Sequence, residues 1–335
     1  MGTLRIRGDI DIDQFWPGGS ADADTTKIKV TVGANAFAYA KDNKTFRTTK
    51  VFFGAETRGR GTKQAIDRQN RITARLQGVD APELHYKASA IPRSSGISDA
   101  KRKKFNELNK ERRQCWAESA TLALADKLTN FGDATIACEF LSFVDRPTDV
   151  VDTYGRFVGN IRVGAQFRAD INLWLAEEGW AFPSFYTSMS KDEIETLIAA
   201  AKKGRKKKRI WKDYSEDTTR FDSRLLYRKN GPAGDIGDDA GPVLMPKLYR
   251  RQVAFRMQKA ADIFDGSFAD YLAGQRSDTY VTLEDFLVHK IESAQQHTLD
   301  ELLDGRKLIL DPDEVVFKEA ESRLVDQKGR LLVEF

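Results

Sequence analysis

Hydrophobic and polar positions alternate with two different periods along the first two thirds of the chain, and the switches between them mark its elements. Apolar runs and period-two stretches at 27–32 (KIKVTV), 50–53 (KVFF), 71–79 (RITARLQGV), 134–144 (ATIACEFLSFV) and 157–163 (FVGNIRV) predict strands. Helical spacing takes over from about Cys115 to Asn130, where Ala117, Ala120, Thr121, Leu124 and Leu128 share one face ahead of Gly132. A short helix after Asp170 places Ile171, Trp174 and Leu175 on one side and is stopped by Gly179. A third opens with Ser190 and Glu193 in capping-box spacing and buries Ile194, Leu197, Ile198 and Ala201. Five strands and three helices in this order predict an α+β fold in which helices pack on a small barrel.

The pattern changes at 229–246 (KNGPAGDIGDDAGPVLMP), a Gly, Pro and Asp-rich stretch that reads as a linker. Beyond it, Tyr249, Val253, Met257, Ala261 and Phe264 fall on one helical face, and Thr282 with Asp285 has the spacing of a second cap. KLILD and RLLVEF near the end read as short strands. The predicted organisation is a domain over 1–215, a linker over 216–246 and a mainly α-helical region of unknown fold over 247–335.

Charge divides the chain in the same place. Residues 216–335 carry 17 Lys and Arg against 23 Asp and Glu, which leaves 37 against 27 of the totals of 54 and 50 for residues 1–215. A basic domain joined to an acidic region suits a polyanion-binding half and a second part able to contact it or a protein partner. The hydrophobic share of 41% and charged share of 31% are those of a soluble globular protein. No stretch approaches a membrane span, and no leader-like apolar run opens the chain, so the expectation is a cytoplasmic protein without a membrane partner. Two cysteines without CxxC spacing and three histidines argue against zinc fingers and against histidine-driven hydrolysis. Any metal is expected to be hard and oxygen-bound.

Three clusters of candidate chemistry remain: Asp22 and Asp24 in DADTTKIKV, Arg75, Asp80 and Glu83 in RLQGVDAPE, and Asp152, Tyr154 and Arg156 in DTYGRFVG. Singly, each has an ordinary structural reading: a turn before a strand, a Pro-led helix start, a hairpin turn. Two basic runs, KRKK at 101–104 and KKGRKKKR at 202–209, are either solvated helix faces or contacts to a phosphate backbone, and Gly204 is a candidate end for the helix that carries the second.

Together, and in this order with INLWLAEEGWAF and AAAKKGRKKKRIW, the motifs resemble the staphylococcal nuclease-like, or thermonuclease, family over roughly residues 22–213. The resemblance implies a five-stranded barrel of the oligonucleotide-binding (OB-fold) type. It implies a calcium-dependent nuclease cutting DNA or RNA, preferably single-stranded, with little sequence preference and leaving 3′-phosphate ends. By position, Asp24, Asp80 and the Ala81 carbonyl would hold Ca2+. Glu83 would act on the attacking water, and Arg75 and Arg156 would grip the phosphate. Tyr154, with Phe185 or Tyr186, would lie near a base, and Lys206 and Lys207 would contact the backbone. The family also contains barrels that have lost their catalytic residues, so a nucleic-acid-binding or protein-interaction module is the alternative. Two enlarged segments, one between Asp24 and Arg75 and one over 87–113, depart from the family pattern, as does Thr153, where the family prototype has a lysine.

Overall fold

The computed structural model describes residues 2–31, 37–41, 46–48, 54–57, 61–225, 239–275, 278–289, 293–320, 322–326, 328 and 330. Strands β1 (Gly2–Asp11), β2 (Thr25–Val30) and β3 (Arg71–Leu76) come first, and short β4 (Gly78–Asp80) follows directly on β3. Then come α1 (Asp99–Leu108), α2 (Ala117–Thr129), β5 (Thr135–Val144) and β6 (Phe157–Val163). Helices α3 (Ile171–Glu177) and α4 (Lys191–Lys207) flank β7 (Phe182–Tyr186).

The barrel closes as a circuit. β1 pairs with β2, β2 with β3, β3 with β6 in parallel, β6 with β5, and β5 returns to β1. This is the five-stranded α+β barrel with packed helices that the sequence suggests. Its closing strand, β1, is not among the predicted ones. Leu4, Ile6 and Ile10 point into the core and alternate with Arg5, Arg7 and Asp9, and the strand stays in register with β5 from Gly2↔Val144 to Asp11↔Thr135. The predicted strand at 50–53 lies outside the described residues. α4 does not stop at Gly204 but runs on to Lys207. A Cβ at Gly204 would come within 2.0 Å of the Ala176 carbonyl oxygen, so glycine here lets α3 and α4 touch rather than ending a helix.

The C-terminal region is partly helical. Alongside α5 (Pro246–Ala260), α6 (Phe268–Ala273) and α7 (Leu283–Val288) it contributes β8 (Thr279–Thr282) and β9 (Val315–Phe317). β9 adds to β7 in parallel, with Phe185 opposite Val316 and Tyr186 opposite Phe317, and β8 pairs with β9. Val281, Phe286, Val316 and Leu324 are buried in the same core as the barrel side chains. α7 starts as its spacing predicts, with Thr282 Oγ1 accepting from Asp285 N at 3.1 Å. KLILD yields only the two-residue strand Lys307–Leu308, and all of RLLVEF except Arg330 lies outside the described residues.

The segment over 87–113 is not loose decoration either. Its helix α1 buries Phe105 against Tyr249, Val253 and Met257 of α5. Of the stretch read as a linker, the described ends are anchored: Arg224–Leu225 pairs with Arg112–Arg113, and Asp239 caps α2 from afar. Asp239 Oδ2 accepts from Ser119 N at 2.8 Å, its carbonyl accepts from Trp116 N at 2.9 Å, and its Oδ1 takes Arg113 at 2.9 Å. The α2 N-cap residue, Trp116, makes no side-chain cap of its own.

Candidate active site

Register builds the site. Thr25 lies opposite Arg75 across the β2–β3 pair, so Asp24 arrives beside Arg75, and Leu76 N donates to the Asp24 carbonyl at 2.9 Å. Gly78, at φ +77°, then turns the chain, a conformation that glycine adopts without steric cost. β4 pairs with β7, Asp80 opposite Phe182, and the turn returns Asp80 to Arg75 only five residues after the arginine left the barrel. The Arg75 guanidinium bridges the two carboxylates, pairing with Asp24 and, at 2.5 Å, with Asp80 Oδ1. Ala81 joins the cluster through its amide, which donates to Asp24 Oδ2 at 2.7 Å.

The tight turn at 152–156 supplies the second arginine. Asp152 Oδ1 accepts from the backbone N–H of both Tyr154 and Arg156 at 2.9 Å, and Asp152 Oδ2 takes Arg156 Nε at 2.7 Å. This fixes Arg156 at the start of β6, where its Nη1 reaches Thr25 Oγ1 at 3.5 Å. The guanidinium lies 5.4 Å from the Tyr154 ring centroid, and that ring is 66% exposed.

Glu83 follows Pro82 and is held by a buried glutamine. Gln114 Oε1 accepts from Glu83 N at 3.2 Å, and Gln114 N donates to the Glu83 carbonyl at 2.7 Å. The Glu83 carboxylate is ion-paired with Arg250, which lies on α5 and outside every motif singled out above. Arg250 Nη2 also stands 3.7 Å from Asp80 Oδ2. A second residue without an assigned role, Asp22, completes the group: its Oδ1 is buried and without a hydrogen-bond partner.

The electrostatics are those of crowded carboxylates held by arginines. Burial, and then the neighbouring Asp24 and Glu83, push the Asp22 carboxyl well above its usual range. Burial also acts on Asp24, but Arg75 and the Ala81 amide outweigh it and hold that carboxyl below its usual range. Glu83 is raised, chiefly by burial, with Arg250 opposing the shift and Asp80 and Asp24 adding to it. Burial works against the charge of Arg75, yet Asp24 and Asp80 keep it firmly protonated.

Asp24, Arg75, Asp80, Ala81, Glu83 and Arg156 are thus brought to one end of the barrel, with Tyr154 at the rim. Tyr186 is partly buried beside them, its hydroxyl pushed upward by burial and by Asp80. Phe185 is a correction. Its neighbour faces the site, and strand alternation turns Phe185 into the core, where it is fully buried and cannot stack on a base. Lys206 is exposed on the last turn of α4, and Lys207 pairs with Glu178 at 3.1 Å. The acidic C-terminal region meets that same basic run through Arg205, which pairs with Asp311 at 2.9 Å and Asp313 at 2.6 Å. Arg250 carried only a faint sequence signal, the basic KLYRR start of a helix in an otherwise acidic region.

Among the described residues, no three acidic, His or Cys side chains converge closely enough to form a ready-made metal centre. None of their helices is long and apolar enough to cross a membrane. Residues 73–213 match the family model described as staphylococcal nuclease homologue. The match begins on β3 and ends after α4, so Asp24 on one side and Arg250 on the other lie beyond it and reach the site through the fold. No curated protein matches the chain.

Proposed function

With a staphylococcal nuclease homologue domain over residues 73–213, we propose that the chain is a calcium-dependent nuclease. It hydrolyses phosphodiester bonds of single-stranded DNA or RNA with little sequence preference and leaves 3′-phosphate ends. The observation that carries this reading is the gathering of Asp24, Asp80 and Glu83 with Arg75 and Arg156 at one barrel end.

The donor types of the described residues, rather than a preformed cage, favour a hard cation. They are carboxylate oxygens, and the buried, unpartnered Asp22 Oδ1 adds one that the protein itself does not satisfy. Asp24 and Asp80 would hold the calcium, which when bound would neutralise charge on the phosphate and favour ionisation of a nearby water. The chain's own residues do the rest. Arg156, about a third exposed and steered by Asp152, meets an incoming phosphate first. Arg75 lies deeper and offers a planar fork that matches phosphate oxygens and stays charged throughout. Glu83 accepts a proton from the attacking water, and its upward shift makes it a better base than an exposed glutamate. Tyr154 presents an open ring face to an unpaired base, the physical reason for preferring single strands.

A second reading has its own support. Both candidate ligands and the candidate base are ion-paired to arginines, as they would be in a barrel that binds strands without cutting them. Incubating the protein with a fluorescent single-stranded oligonucleotide, with calcium or with chelator, separates the two. The nuclease reading expects calcium-dependent cutting with phosphate on the 3′ ends of the products. Binding without cutting over a broad pH range favours the module.

A further inference from the structure

The family match ends at residue 213, yet the candidate base is ion-paired to an arginine 37 positions further on. We infer that Arg250 is a third arginine of the active site, contacting the phosphate under attack beside Glu83, so that the C-terminal region completes the catalytic centre. This rests on the nuclease reading and deepens it.

The placement is built in. Gln114 is fully buried and stitches both sides together: it bonds the backbone of Glu83 in two places, and its Nε2 donates to the Leu244 carbonyl at 2.6 Å, just ahead of α5. α5 is fixed further by buried Leu248, Tyr249 and Val253 and by Gln252, whose Nε2 donates to the Thr218 carbonyl at 2.7 Å. These contacts anchor the start of α5 beside Glu83 and so place Arg250 at the site.

Three basic residues start α5, and they divide the work. Asp278 takes Arg251 and, at 3.9 Å, Lys247. Only Arg250 turns to the carboxylates. It is not absorbed by them: Nη1 holds Glu83, whereas Nη2, 3.7 Å from Asp80, is beyond hydrogen-bond length and keeps its donors for another oxygen. The side chain is 27% exposed, against 10% for the structural Arg113. A guanidinium that orients the base with one arm and offers the other to solvent is placed to take a phosphate oxygen as charge builds there.

The test uses the full chain and a short fluorescent single-stranded oligonucleotide. Arg250→Ala is compared with wild type for cutting in calcium, for binding in chelator and for melting temperature. kcat/KM is expected to fall roughly 10²- to 10³-fold, the loss typical of one charge-stabilising donor, and binding in chelator is expected to weaken. Arg250→Lys keeps a charge against Glu83 and serves if the alanine variant does not fold. It should bind in chelator more tightly than Arg250→Ala but cut well below wild type, because an ammonium lacks the fork. Equal or faster cutting by a folded Arg250 variant would overturn the inference and make the arginine a restraint on Glu83. If wild type itself does not cut, the nuclease reading fails first, and unchanged oligonucleotide binding by the variant then removes Arg250 from the substrate surface as well.

Discussion

Two clusters of arginine and carboxylate lie inside this molecule, and they are built differently. In the first, Arg113 sits between Glu118 and Asp239, 8%, 2% and 1% exposed, and Asp239 also caps α2. In the second, Asp22, Asp24, Asp80 and Glu83 crowd around Arg75 and Arg250, one buried carboxylate oxygen lacks a partner, and an exposed tyrosine stands at the rim. The first fastens a distant segment to a helix. The second gathers four carboxylates at one end of the barrel and opens to solvent at Tyr154, an arrangement that a stability role alone does not require and that a cation and a phosphate would relieve.

Substitution should separate them. Asp239→Ala leaves Arg113 paired only to Glu118 and removes the remote cap. Denaturant unfolding is expected to show a loss of about 3–5 kcal/mol, the usual cost of breaking a buried ion pair, while kcat per folded molecule stays unchanged. A comparable loss of kcat would mean that the two clusters are not independent. Tyr154→Ala makes the opposite kind of change. Stability should hold, because the ring is mostly exposed, and strand binding should weaken by about 1–3 kcal/mol, the worth of one stacked base. Equal affinity of the two proteins for single strands would remove the rim from the binding surface.

The smallest effect is on pH. Glu83 is raised in the folded state, so below its ordinary value of 4.5 both folded and unfolded chains carry the proton and its contribution to stability is complete. As pH rises through the higher folded value, the unfolded chain has already released its proton, and stability falls. Activity should run the other way, with kcat/KM rising through an apparent pKa above 4.5 that belongs to the coupled cluster. An acid limb at or below 4.5 in the pH–rate profile would contradict the half-buried placement of Glu83 beside Asp80 and Asp24.

The motif residues were legible because local sequence builds them into place: the β3–Gly78–β4 turn brings Arg75 to Asp80, and the Asp152 turn fixes Arg156. What was not legible depends on contacts remote in sequence. β1 alternates correctly, but charged Arg5, Arg7 and Asp9 break up its apolar run, and its partner β5 begins only at Thr135. Phe185 and Tyr186 are adjacent letters, and only the pairing of β7 with β4 and β9 decides which of them faces the cluster. Arg250 looks like any basic residue on a helix until α5 is packed against the Glu83 segment through Gln114. Gly204 reads as a helix stop, and it is the close passage of α3 that explains it.

The central claim is that the open cluster does chemistry, and Glu83→Gln tests it most directly, because the amide keeps the side chain's shape but cannot accept the proton. Cleavage of a single-stranded oligonucleotide in calcium is measured for wild type and variant, with melting temperature as the control. The account predicts a fall in kcat of roughly 10²- to 10⁴-fold with the fold retained. Cutting by the variant at the wild-type rate would contradict it and move the chemistry away from Glu83.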